Sequence, residues 1–262
     1  MSNSSHQLKI DGFFAEKYYK LFRKMKTIGI NIDGVVRDFW TQFDKHYRKT
    51  YINNPSIVEM NQDMTVKEPT EEEWKKTEEM IKLKTSELIS LPLNSYDLSN
   101  HYRFEEVKSI DGETTLSPRE ALNEFMYQKY PFQIYGQAEE YMGACDAVNR
   151  IQAYGLSNKI YNTVFLSSVN SPAIPATFHF LAKNASRIRN IVFVDEDFEK
   201  WDHCDVLIDC VPEAIQDVPD GKIVIKIEQP FNQWDTVEHT FKSIKEVNPN
   251  FLEELIVGKE QK

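Results

Sequence analysis

Short apolar runs rich in β-branched residues recur along the chain at 27–32 (TIGINI), 162–166 (NTVFL), 190–194 (NIVFV), 205–208 (DVLI) and 222–227 (KIVIKI). Runs that are apolar nearly throughout predict strands buried on both faces, as in a parallel sheet covered by helices. The expected fold is therefore α/β, a Rossmann-like parallel sheet of about five strands flanked by helices. Between the runs, 174–181 (IPATFHFL) has the length and pattern of a crossover helix, and 232–247 is the expected site of the last one.

The stretch from 33 to 161 is far longer than one helix and two loops require. A mainly helical insert is therefore expected at 41–149, between core segments at 26–40 and 150–250, with an N-terminal extension at 1–25 and a C-terminal tail at 251–262. Helices are predicted at 39–47, at 70–89, where Thr70 and Glu73 make a capping-box pair, from Ser117-Pro118 to 127, and at 137–153. The aromatic stretch 125–136 (FMYQKYPFQIYG) reads as a hinge packed between insert and core, or as an interaction surface. In the extension, 17–26 (KYYKLFRKMK) is basic and amphipathic and is expected to pack its rings on the domain.

Charge and cysteine content narrow the function classes. The chain has 31 basic and 41 acidic residues, a formal charge of −10, so general nucleic-acid binding is not expected. The N-terminus lacks an apolar signal core and no apolar run approaches membrane-spanning length, so no membrane association is expected and the cytoplasm is the expected compartment. Cys145, Cys204 and Cys210 are an odd set without Cys-x-x-Cys spacing, which argues against a disulfide framework or a zinc site.

Chemistry concentrates where the predicted strands end. The first run closes on Asn31-Ile32-Asp33-Gly34-Val35-Val36, followed by Arg37-Asp38-Phe39-Trp40. This places polar side chains and a glycine turn at the carboxyl edge of the sheet, where open α/β folds bind ligands. After the second run stands Phe165-Leu166-Ser167-Ser168. Lys200 precedes Cys204-Asp205-Val206-Leu207-Ile208-Asp209-Cys210-Val211-Pro212, and Glu228-Gln229-Pro230-Phe231-Asn232 follows the last run. In this order these pieces resemble the motifs of the haloacid dehalogenase superfamily, in its 5′(3′)-deoxyribonucleotidase branch. The resemblance covers the core and leaves the insert, and with it substrate specificity, unassigned.

The resemblance implies a Mg²⁺-dependent phosphatase in which an aspartate attacks phosphorus and a second aspartate is the general acid and base. Carried over, Asp33 keeps the acid/base place and a metal-side position, Ser167 and Lys200 the phosphate contacts, and Asp209 a weak metal position. Two places depart. Asn31 stands where the nucleophile belongs, and Cys210 where the second metal-binding carboxylate belongs. An amide has no anionic oxygen for attack, and loss of a nucleophile costs about 8 kcal/mol in a well-studied triad. The expected protein is a degenerate, nucleotidase-like chain, with Mg²⁺ binding weakened and with a nucleotide or phosphate as a possible ligand. Its retained role is then binding, or assembly with a protein partner or copies of itself. Similarity to nucleotidase-like proteins of large tailed bacteriophages implies a phage particle or complex, in host cytoplasm or virion. The alternatives are an active 5′-deoxyribonucleotidase and a nucleotide or phosphate sensor.

Three further features were weighed. Phe39, Trp40 and Phe43, at helical spacing, are candidates for a base-binding wall as well as for core packing. Asp195-Glu196-Asp197, with Asp202, offers a second acidic cluster, expected to face solvent at a strand end. Asp38 is expected to stabilise the first turn of the helix that follows it.

Overall fold

The computed structural model describes residues 25–51, 96–100, 102 and 116–258. The helix expected at 70–89 and the basic stretch at 17–24 lie outside the described residues. The elements are β1 (Lys26–Asn31), α1 (Phe39–Tyr51), α2 (Pro118–Asn123), α3 (Ala144–Asn158), β2 (Tyr161–Ser167), α4 (Ile174–Lys183), β3 (Ile191–Phe193), β4 (Val206–Asp209), α5 (Pro212–Gln216), β5 (Ile223–Ile227), β6 (His239–Phe241) and α6 (Pro249–Gly258).

All six strands are parallel, in the order β3-β2-β1-β4-β5-β6. The α/β class predicted from the apolar runs is the observed one, with one strand more than expected. Strands β4 and β5 are buried along their whole length and β1 over its last four residues, so no polar alternation survives in their sequences. The order reverses between β1 and β4, which opens the crevice at which such sheets bind ligands. Asn31 and Asp209 end these two neighbouring strands and flank that crevice.

Two expectations for the C-terminal part are corrected. Residues 232–247 do not form a helix. They make a turn, the three-residue strand β6 and a single 3₁₀ turn at Ile244–Glu246. The side chain of Asn232 is bonded to the backbone oxygens of Cys210 and Ile227, which ties the chain back to the sheet edge. Residues 251–258, expected as tail, complete α6 instead. Its Leu252 and Ile256 are one turn apart and buried, and its Glu253 accepts a hydrogen bond from the hydroxyl of Tyr154 on α3.

The other helices follow their sequence signals closely. Helix α2 carries a complete capping box between Ser117 and Glu120, then widens into π-helical turns at Glu124–Lys129 and Phe132–Gly136. Phe125, Ile134 and Tyr135 of this stretch are buried, whereas Phe132 is 44% exposed. The helix expected from 137 starts later, at Ala144, because Gly143 adopts a left-handed φ of 75° that no helix continues through. Tyr102 is held to α1 by Asp44, which accepts from the Tyr102 hydroxyl at 3.0 Å and, within the helix, from Arg48 Nε at 2.6 Å. No helix among the described residues is long and apolar enough to cross a membrane.

Candidate functional site

The turn after β1 sets the geometry. Ile32 O accepts from both Val36 N at 3.0 Å and Arg37 N at 2.8 Å, closing a tight loop at the sheet edge. Gly34 within it has φ of 81°, and a Cβ there would lie 2.4 Å from Cys210 Sγ, so both backbone conformation and space require glycine. Asp38 does cap α1: its Oδ1 accepts from Thr41 N at 3.3 Å.

Asn31 is buried, and its Nδ2 donates to Asp209 Oδ1 at 2.7 Å and to the backbone oxygen of Asp33 at 2.8 Å. Both neighbours are pure acceptors, which fixes the amide nitrogen as the group facing them. Asp209 is fully buried and both its oxygens are engaged. Oδ1 also takes Cys210 N at 2.6 Å and Val211 N at 3.0 Å, while Oδ2 takes Lys200 Nζ at 2.9 Å.

Lys200, fully buried, reaches a second carboxylate, Asp197 Oδ1, at 2.5 Å. Burial works against its charge, but Asp209 and Asp197 more than compensate and hold the ammonium above the ordinary lysine range. Burial pushes the Asp209 carboxyl up, against the pull of Lys200 and with a push from Asp197. The proton of the pair therefore sits on Lys200. Asp197 also accepts from Ser168 Oγ at 2.8 Å and from the hydroxyl of Tyr96 at 3.3 Å.

Asp33 points the other way, into a fork. Arg37 Nε reaches its Oδ1 at 2.6 Å and Nη2 its Oδ2 at 2.9 Å. The guanidinium is wholly buried, donates to Tyr135 O at 3.0 Å and Thr177 Oγ1 at 3.1 Å, and lies between the rings of Tyr135 and Phe180. This anchored geometry holds the Asp33 carboxylate rigidly.

Above these groups is a cavity of about 360 Å³ with Asn31, Asp33 and Ser168 at its base and Phe39, Trp40, Tyr96, Tyr127 and Tyr135 in its walls. Of the predicted residues, Asn31, Asp33, Lys200, Asp209 and Cys210 are brought together. Phe39 and Trp40 line the cavity, whereas Phe43 is fully buried beneath it, among Tyr102 and Phe125. Ser167 is fully buried at the end of β2 and its Oγ has no hydrogen-bond partner among the described residues, while Ser168 is the serine that lines the cavity. Cys210 Sγ donates to Asp33 O at 3.4 Å, and burial, reinforced by the Asp209 charge, pushes its thiol well up. It is a packing residue.

Sequence reasoning missed Arg37, Asp197 and Ser168. Arg37 had a signal in its position four residues after Asp33, the spacing of a helical ion pair. Asp197 was expected to face solvent, yet its side chain is only 15% exposed because Lys200 draws it inward. Glu196, beside it, serves the backbone in a capping box with Glu199.

The chain is similar in structure to a haloacid dehalogenase-like family hydrolase from Streptococcus pneumoniae, at 11% identity and a TM-score of 0.47, over 87% of this chain and 98% of that one. It is likewise similar to a family IA, variant 3 haloacid dehalogenase-type hydrolase from Entamoeba histolytica, at 11% identity, TM-score 0.46, with 89% and 100% covered. A third similar structure is CbbY from Rhodobacter sphaeroides in complex with phosphate, at 11% identity, TM-score 0.43, with 85% and 96% covered. No family model matches the chain. No curated protein matches it in sequence.

The oxygens at the crevice do not fit Mg²⁺ in this arrangement. That ion takes six oxygen ligands at about 2.0–2.1 Å. Here Asp209 Oδ1 takes three donors and Oδ2 the Lys200 ammonium, Asp33 O takes Asn31 Nδ2 and Cys210 Sγ, and each oxygen of the Asp33 carboxylate takes a nitrogen of Arg37. Among the described residues no three His, Cys, Asp or Glu side chains are grouped to hold a metal ion.

Proposed function

We propose that this chain is a non-hydrolytic, nucleotidase-like relative of the haloacid dehalogenase phosphatases, retained to bind a small ligand in the cavity above Asn31. The observation that carries the reading is the Asn31 amide, which bridges Asp209 and the Asp33 carbonyl at 2.7 and 2.8 Å. A neutral donor thus lies between oxygens that a phosphatase of this family leaves for a cation. The order of the motifs at successive strand ends supports the family, and the polar centre supports the loss of turnover.

The charged groups of the centre engage one another. Asn31 cannot supply an anionic oxygen, Arg37 holds the presumptive acid/base Asp33, and Lys200 is engaged by two carboxylates rather than available to a phosphoryl group. Such a network, largely buried, contributes rigidity to the sheet edge in place of chemistry. Assembly with another protein, in a phage particle or complex, is compatible with this reading and would use surfaces outside the cavity.

The test is release of phosphate from deoxynucleoside monophosphates with Mg²⁺, by the unmodified chain and by the Asn31→Asp/Cys210→Asp variant. The reading requires the unmodified chain to be inert. Turnover by it that Asp209→Asn abolishes would establish an active nucleotidase instead.

A further inference from the structure

We infer that the cavity above Asp33 takes an organic cation, an amine or guanidine carried on a small flat body, in preference to a phosphate. The inference rests on the non-hydrolytic reading and names the ligand class of the same site.

The walls are a continuous sheet of rings. Trp40 meets Tyr96 edge-on at 5.6 Å and Phe39 at 4.8 Å; Phe39 stacks on Tyr135 at 5.3 Å, and Tyr135 on Tyr127 at 5.6 Å. The cavity volume of about 360 Å³ suits a small molecule. Aromatic rings attract ammonium and guanidinium groups, as the Tyr135 ring already does with the guanidinium of Arg37, 4.9 Å from its centroid.

Charge points the same way. Among the described lining residues Asp33, Asp97 and Glu213 are acidic and Arg119 alone is basic. The cations behind the floor, Arg37 and Lys200, are fully buried and engaged by carboxylates, so an entering phosphate finds neither available. Tyr96 and Tyr135 are pushed well above the ordinary range and Tyr127 above it, by burial first, with carboxylate charge from Asp197 at Tyr96 and Tyr127 and from Asp33 at Tyr127 and Tyr135 adding to it. The neutral hydroxyls keep lone pairs to which an ammonium can donate.

Calorimetric titration of the full chain with tyramine, its carboxylate counterpart para-hydroxyphenylacetate, inorganic phosphate and deoxythymidine monophosphate tests the inference. Tyramine is expected to bind saturably and at least about tenfold more tightly than any of the three anions. Trp40→Leu should weaken it about tenfold, and Glu213→Gln, at an exposed position that leaves folding intact, about two- to fivefold. Tighter binding of either phosphate compound, equal binding of the carboxylate, no saturable amine binding, or amine binding unchanged in Glu213→Gln would each overturn it. Phosphate release from the monophosphate would overturn the non-hydrolytic reading instead, so the two failures are distinct.

Discussion

Asn31 Nδ2 lies 2.7 Å from Asp209 Oδ1, joining the last residues of two adjacent parallel strands across the point where the strand order reverses. An aspartate at 31 would set two carboxylate oxygens against each other at that distance in a buried site. Asn31→Asp is therefore expected to lower stability by about 2–4 kcal/mol at neutral pH, as an uncompensated buried charge does. Added Mg²⁺ should recover part of the loss in the variant alone, because a cation bound to the native state raises stability. Urea unfolding with and without Mg²⁺ checks this; a variant as stable as the parent in the absence of Mg²⁺ contradicts it.

Arg37 and Asp33 form the second relationship on which the site depends. Arg37→Leu would strand the Asp33 carboxylate and the carbonyl of Tyr135, at an expected cost of about 3–5 kcal/mol. Arg37→Lys should cost less but still measurably, since an ammonium cannot engage both Asp33 oxygens in one plane. Near-neutral effects of both substitutions in urea unfolding would show that the fork does not hold the loop.

How much of this was legible beforehand depends on the scale of the feature. The runs that became β1, β2, β4 and β5 were readable because strands buried on both faces leave no polar interruptions. The convergence of Asn31, Asp209 and Cys210 was readable because the ends of parallel strands align, and Lys200 reaches them from the 3₁₀ segment Asp197–His203. Partnership was not readable. Ser167 and Ser168 differ by one position, and side chains one apart on an extended chain point in opposite directions. Asp197 looks like any strand-end carboxylate until Lys200 folds over it. Strand β6, three residues long and half-buried, has too short a pattern to distinguish from a loop, and α6 was lost by ending the core at 250.

The three thiols should be silent in the native protein. Cys145, Cys204 and Cys210 are buried. Burial raises all three above the ordinary thiol range, Cys204 to about 12 against the opposing charge of Lys222. Ellman's reagent at neutral pH is expected to titrate them only after unfolding. One fast-reacting native thiol, traced to Cys210, would contradict its assignment as a packing residue.

Acidification should weaken the protein through His46. Burial, and then the charge of Lys49, hold its pKa below the ordinary 6.5, so the native state favours the neutral ring. Its contribution is present above the unfolded-state pKa and is lost as pH falls from there through the lower, folded-state pKa. His46→Gln should flatten the stability profile over that window. A profile identical to the parent's would show that another group titrates there.

The central claim, that Asn31 and Lys200 already engage the oxygens a divalent cation would use, is tested most directly by titrating the full chain with Mn²⁺ and following free ion by electron paramagnetic resonance, beside Asp209→Asn. The predicted result is that the Asp209→Asn curve superimposes on that of the parent. A stoichiometric Mn²⁺ site in the parent that disappears in Asp209→Asn would contradict the account.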